Sequence, residues 1–296
     1  MKIKSLSLYN FQLLSKYKLG CNFSLGKIGE YLMDRTTLIG LIVGFVAVGV
    51  GMVMKGVSIV ALANPAALLI ILLGTAGAVL IAFPTSEIKR LPKLFGVLFK
   101  EDKLIDRVEL FRSFSDLAQV ARKEGLLALE GPVREIDDEF FRSGITLVID
   151  GQNSEFIRDI LEEEIAAMEE RHKAGALIFT QAGTYAPTLG VLGAVIGLVA
   201  ALQFMNDVDG LGHAISAAFV ATLLGIFTGY VLWHPFANKL KRKSKNEAEL
   251  MYLMIEGILS IQQGESPRNI ERKLSAYLPK SERKKFLEKS DEVIDE

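Results

Sequence analysis

Four stretches of this chain carry no Asp, Glu, Lys or Arg: 36–54, 64–83, 177–205 and 211–237. The shortest has 19 residues, and as a helix it reaches roughly 28 Å, close to the roughly 30 Å hydrocarbon layer of a bilayer. A chain of 296 residues with half of them hydrophobic has room for two soluble domains. Apolar blocks of this length predict instead a multi-pass membrane protein whose spans are helices.

The polar parts lie between and after these blocks. Segments 84–176 and 238–296 hold most of the 34 basic and 35 acidic side chains. Their charges are of mixed sign, which argues against a nucleic-acid partner. Basic residues then give orientation: Lys89, Arg90, Lys93, Lys100 and Lys103 follow the second block, and Lys239, Lys241, Arg242, Lys243 and Lys245 follow the fourth. The connection after the first block has only Lys55, and "NDVDG" after the third has no base. The positive-inside rule therefore makes both large polar regions and both termini cytoplasmic. The single cysteine, Cys21, excludes an internal disulfide and a cysteine-based metal site.

The expected order is an N-terminal extension (1–33), a first transmembrane hairpin (34–83), a cytoplasmic helical domain (84–176), a second hairpin (177–237) and C-terminal helices with a tail (238–296). Residues 1–33 lack a continuous apolar core, so they are no secretory signal. They read as a disordered extension ahead of Met33, with a basic amphipathic arm as the alternative. Asn64 and Pro65 are expected to open the second span, by the preference for proline early in a helix. In the insert, Leu104, Val108, Phe111, Leu117 and Ala121 recur at helical spacing. Gly125 interrupts, a helix restarts at Pro132, and another follows "DGQNS". Ser266 and Pro267 predict a helix cap and first residue, and Pro279 a stop. No alternating strand pattern occurs in the insert. The fold expected is an all-α integral membrane protein with four transmembrane helices, a helical cytoplasmic domain inserted between the second and third, and a helical tail.

The stretch "TYAPTLGVLGAVIGLVAAL" mixes Pro187 with Gly190, Gly193 and Gly197 in an uncharged run. Gly190, Ala194, Gly197 and Ala201 recur at three- and four-residue steps, a smooth stripe against which another helix can close. Pro187 lacks an amide hydrogen, which frees a carbonyl one turn earlier, near Gly183. Thr188 and Thr222 supply hydroxyls. Packing of small residues accounts for the glycines; the proline and hydroxyls also suit an ion path. The blocks contain no carboxylate, yet ion-coupled machines place an ionisable group at membrane depth. Any working acid must then come from another chain. His213 and His234 stand near span ends as interfacial groups. His172, with "LEEEIAAMEERH", reads as solvated surface and not as a metal site. No glycine-rich phosphate loop or metal-spaced histidine pair points to an enzyme.

Four segments, "LIGLIVGFVAVGVGMVMKG", "ANPAALLIILLGTAGAVLIAFP", "AGTYAPTLGVLGAVIGLVAAL" and "GESPRNIERKLSAYLP", occur in the order found in the MotA/TolQ/ExbB superfamily. The chain from Met33 onward resembles the flagellar stator branch of that superfamily. The resemblance implies a ring, pentameric, around two copies of MotB, which supplies an ion-binding aspartate, within the inner membrane. It implies that proton flow becomes torque on the rotor protein FliG as the ring turns about MotB. Pro187 and Pro235 match the family's conformational prolines, and Thr222 matches a hydroxyl facing the partner's aspartate. Arg122 and Glu130, eight residues apart, match the family's rotor-contact pair; by themselves they are ordinary exposed charges. Sodium-driven relatives carry a threonine seven residues after the third-span proline. Here that position is Ala194, which implies H+, with Na+ as the alternative. No cofactor is implied. An ExbB- or TolQ-like energiser of envelope processes is the alternative within the superfamily, and a self-contained channel or transporter the alternative outside it. Lipid is the surrounding partner in each case.

Overall fold

The structure, a computed structural model, describes residues 34–100, 106–204, 206–284 and 286. The expectations for residues 1–33, for Leu104 and for the charged end after 286 lie outside the described residues. Among the described residues, four helices are long and apolar enough to cross a membrane: Arg35–Met54, Ile59–Ala82, Ser154–Ala201 and Val208–Gln262. The protein is a multi-pass, all-helical membrane protein.

The first span starts where the Asp34 side chain accepts the amides of Thr36 and Thr37, satisfying donors a helix start leaves open. It ends at Lys55, and the chain turns through Gly56 at φ 75°. A 3-10 turn, Ile59–Leu62, leads to Asn64, whose side chain accepts the Ala67 amide ahead of Pro65. That is the entry expected from the sequence. The second span then contains a π-helical turn at Leu69–Leu73 before Gly74–Ala82. Its apolar stretch gives no warning of this.

The third span is the far half of one 48-residue helix, Ser154–Ala201, which starts in the charged part of the protein and runs through Pro187. The fourth span, Val208–Phe227, passes through a π-helical turn, Thr228–Trp233, into His234–Gln262. These two long helices pack on each other and link the apolar and charged parts.

The charged part has its own core. Helices Arg107–Glu124 and Glu139–Ile149, the first half of the third-span helix and the end of the fourth-span helix bury Phe111, Phe114, Ile145, Leu161, Leu253 and Ile258 together. One expectation needs correction: no single helix runs on from Pro132. Glu130–Val133 is one short turn, and the next helix is Glu139–Ile149, begun where Asp138 caps the Phe141 amide. A capping aspartate outcompetes the weak periodicity of Val133 and Ile136. At the C-terminal side Ser266 accepts the Asn269 amide and Pro267 begins Pro267–Leu274, as its sequence predicts.

Candidate functional site

The third and fourth spans meet through glycine. A Cβ on Gly190 would come 2.8 Å from the Gly225 Cα, and one on Gly229 would come 2.6 Å from Pro187 Cγ. Farther along, Gly193 faces Ala221 at 3.3 Å and Gly197 faces Ala218 at 3.1 Å. The contact stripe on the third span is thus Gly190, Gly193 and Gly197. Ala194, placed in the stripe by sequence spacing, is half-buried beside it. Its partner stripe, Ala218, Ala221, Gly225 and Gly229, contains "GIFTG", a small-xxx-small signature that is legible in the sequence.

Pro187 lies against Gly229, and the Gly183 carbonyl comes 2.8 Å from where a Gly229 side chain would begin. The carbonyl that Pro187 deprives of its donor is therefore sealed on that side by the fourth span. Gly229 belongs to the π-helical turn Thr228–Trp233, and π turns in long helices are frequent at functional sites. Pro235 is exposed at the second helical position just after that turn.

The hydroxyls occupy different depths. Thr188 is exposed and donates to the Tyr185 carbonyl at 2.7 Å; Thr222 is half-buried and donates to the Ala218 carbonyl at 3.5 Å. Antiparallel pairing of Gly190 with Gly225 and Gly193 with Ala221 puts Thr222 level with Gly193 and Ala194. Thr188 lies about 8 Å nearer the charged part. Thr222 and Ala194 therefore share a level, and Thr188 does not join them. Within the spans the described residues contain no acid or base away from the ends; Asp209 sits in the fourth span's first turn. His234 lies near the inner end of the fourth span's apolar run, its ring 2.9 Å from a Cβ position on Gly183. It is a packing residue of the helix pair.

In the charged part, Arg122 ends one helix and Glu130 begins the next short one. Gly125 at φ 89° and the 3-10 turn Leu126–Leu129 separate them, so they do not share a continuous helix face. Both are exposed, and neither has an ion-pair partner among the described residues. Leu127, between them, is 71% exposed. His172 Nδ1 sits 3.1 Å from Ser244 Oγ, and the described residues contain no cluster spaced for a metal ion.

Two charged clusters escaped the sequence. Lys239 binds Asp34 and Thr37, while Lys243 donates to the carbonyls of Val97 at 2.9 Å and Lys100 at 2.6 Å. Lys239 ties the start of the first span, and Lys243 the segment 97–100, to the helix leaving the fourth span. Burial pushes the Asp34 carboxyl up, but hydrogen bonds from Lys239, Thr36 and Thr37 and the Lys239 charge outweigh it and hold it well below the usual carboxylate range. The second cluster joins Arg158 to Glu256 at 2.9 Å and Lys273 to Glu256 at 3.2 Å. Burial again opposes ionisation of Glu256, and the Arg158 and Lys273 contacts override it. These pairings are 205 and 98 residues apart in sequence (239 − 34; 256 − 158), and only folding brings them together.

The family described as "MotA/TolQ/ExbB proton channel family" matches residues 133–252, and "Motility protein A N-terminal" matches 38–125. Motility protein A of Bacillus subtilis (strain 168) is 65% identical over 259 residues, covering 88% of this chain and 96% of that protein. A chain of the flagellar MotAB stator complex from Bacillus subtilis superposes with TM-score 0.82 at 66% identity, covering 86% of this chain and 99% of that one. A chain of C. jejuni MotAB gives TM-score 0.80 at 30% identity, covering 84% and 97%.

Proposed function

The chain belongs to the MotA/TolQ/ExbB proton channel family, and we propose that it works as the membrane stator subunit of a flagellar motor. It assembles with copies of itself and with a MotB partner. The likeness to chains of two MotAB stator complexes supports that reading over an ExbB- or TolQ-like energiser. So does the complete hairpin 35–82 ahead of the helical insert. The observation that carries the mechanism is the absence of a carboxylate in the described spans away from their ends. A titrating group at membrane depth is expensive and serves function, so this subunit acts on an acid brought by MotB.

In this reading five copies encircle two MotB helices in the bacterial inner membrane, with both termini in the cytoplasm. The coupling ion is H+, since Ala194 offers no oxygen at the level of Thr222. Thr222 receives the partner's aspartate, and Thr188 lies farther along the path. Each protonation changes which neighbour the aspartate prefers, and Pro187 and Pro235 carry the resulting helix movement outward. Arg122 and Glu130 engage FliG through exposed charge pairs, whose modest affinity suits repeated contact and release.

The test is complementation of a motility-null strain together with ion flux from the complex of this chain with MotB. Wild type restores swimming in sodium-free medium. Charge reversal of Arg122 and Glu130 abolishes swimming while flux persists. Flux by this chain without MotB, or swimming that requires sodium, refutes the corresponding part.

A further inference from the structure

The second span ends at Ala82, and after Pro84 the chain forms a helical run along the boundary between the apolar and charged parts. Thr85–Ile88 and Leu91–Phe99 are joined by hydrogen bonds from the Lys89 amide to Thr85, from Arg90 to Glu87 and from Leu94 to Arg90, at 3.0 to 3.1 Å. One face of this run is packed: Leu98 is fully buried in a cluster with Phe179, Phe236 and Leu240, and Leu94 and Phe95 press against it. Leu94 reaches 3.0 Å from a Cβ position on Gly175, two residues before the uncharged block 177–205 begins. That contact fixes the depth of the run at the edge of the apolar layer, where lipid headgroups lie.

The other face is cationic. Lys89 and Lys93 are four residues apart and Arg90 and Lys93 three, so all three lie on one side of the helical run. All are exposed, and none has an ion-pair partner among the described residues. Glu87 is the lone acid between 84 and 100. The adjoining end of the second span offers Leu80 at 61% and Ile81 at 90% exposure. Unpaired cations at headgroup depth, a few residues from bare apolar surface at the end of the second span, match the two halves of one ligand.

We propose that Lys89, Arg90 and Lys93 seat the headgroup phosphate of an anionic phospholipid whose acyl chains lie along Leu80 and Ile81. Basic residues at a membrane surface attract anionic lipid. Here they also sit on a helix whose position is locked by Leu94 and Leu98, so the site is held ready.

The test is native mass spectrometry of the assembled complex, with MotB, titrated with phosphatidylglycerol or phosphatidylcholine. Wild type retains phosphatidylglycerol in preference to phosphatidylcholine. Each neutralised cation of K89Q, R90Q and K93Q weakens retention about five-fold, and K89R/R90K/K93R restores it. Lys55→Gln, a lone base at the other membrane face, leaves retention unchanged. Equal retention of the two lipids, undiminished phosphatidylglycerol retention by the triple glutamine variant, or displacement of the lipid by millimolar inorganic phosphate overturns the proposal. If the triple variant fails to assemble, single K93Q carries the measurement on the same criteria.

Discussion

The backbones of Gly190 and Gly225 touch: a methyl group on Gly190 would come within 2.8 Å of the Gly225 Cα and 2.9 Å of the Ala221 carbonyl. No rotamer change relieves such a clash, because both obstacles are main chain. Gly190→Ala therefore forces the third and fourth spans apart and costs about 1–3 kcal/mol, read as a lower thermal midpoint of the purified complex. Gly212→Ala, whose added carbon meets nothing within 4 Å, leaves the midpoint unchanged.

Thr222 keeps only a long hydrogen bond of 3.5 Å to Ala218, so its hydroxyl is available to a partner group. Thr222→Val removes that hydroxyl at nearly constant volume. Ion flux through the complex with MotB drops at least about ten-fold, the loss of one charge-assisted hydrogen bond, while assembly is unaffected. Thr222→Ser recovers flux. A valine variant that conducts normally removes Thr222 from the ion path.

Asp34 both caps the first span and pairs with Lys239. Asparagine also caps well, so Asp34→Asn isolates the charge. It lowers stability by about 1–2 kcal/mol. The depressed Asp34 pKa puts this contribution fully in place above the ordinary value of 3.8, and it is lost only as pH falls through the lower folded value. The difference between wild type and Asp34→Asn is accordingly constant from about pH 5 to 9.

Glu256 follows the same sign in the charged part. Its folded pKa lies below the ordinary 4.5 because of Arg158 and Lys273, against the opposing effect of burial. Stabilisation is complete above that value and disappears as pH falls through the depressed one. Glu256→Gln thus lowers the unfolding midpoint at pH 7, and the gap to wild type narrows as pH falls from 4.5 through the depressed value. A gap that widens in acid refutes the pairing.

Thr75 is 4% exposed, and its hydroxyl finds no partner among the described residues. Thr180, Thr184, Thr188, Thr222 and Thr228 all donate to a carbonyl three or four residues back. The π-helical turn Leu69–Leu73 ends two residues before Thr75 and changes the geometry behind it. An unmet buried hydroxyl costs about 1–3 kcal/mol, so Thr75→Val raises the thermal midpoint. A fall in the midpoint means that the hydroxyl binds something in the assembled complex.

What the sequence determined by itself was local in origin. Uncharged runs long enough to cross a bilayer fixed the spans, and Asn64 with Pro65 and Ser266 with Pro267 fixed two helix starts, because capping and membrane burial act within a few residues of chain. The missing carboxylate was also visible there, as a matter of composition. Arg122 and Glu130 could be located but not distinguished from other exposed charges, since nothing local marks a surface for contact. Tertiary structure decided which small residues meet. Gly193 and not Ala194 joins the stripe, because register depends on the partner helix carrying Ala221 and Gly225. It also decided the π turns, the Lys239 tie to Asp34 and the Lys273–Glu256–Arg158 cluster. Those rest on contacts between residues far apart in the chain, whose energies exist only once the helices have packed.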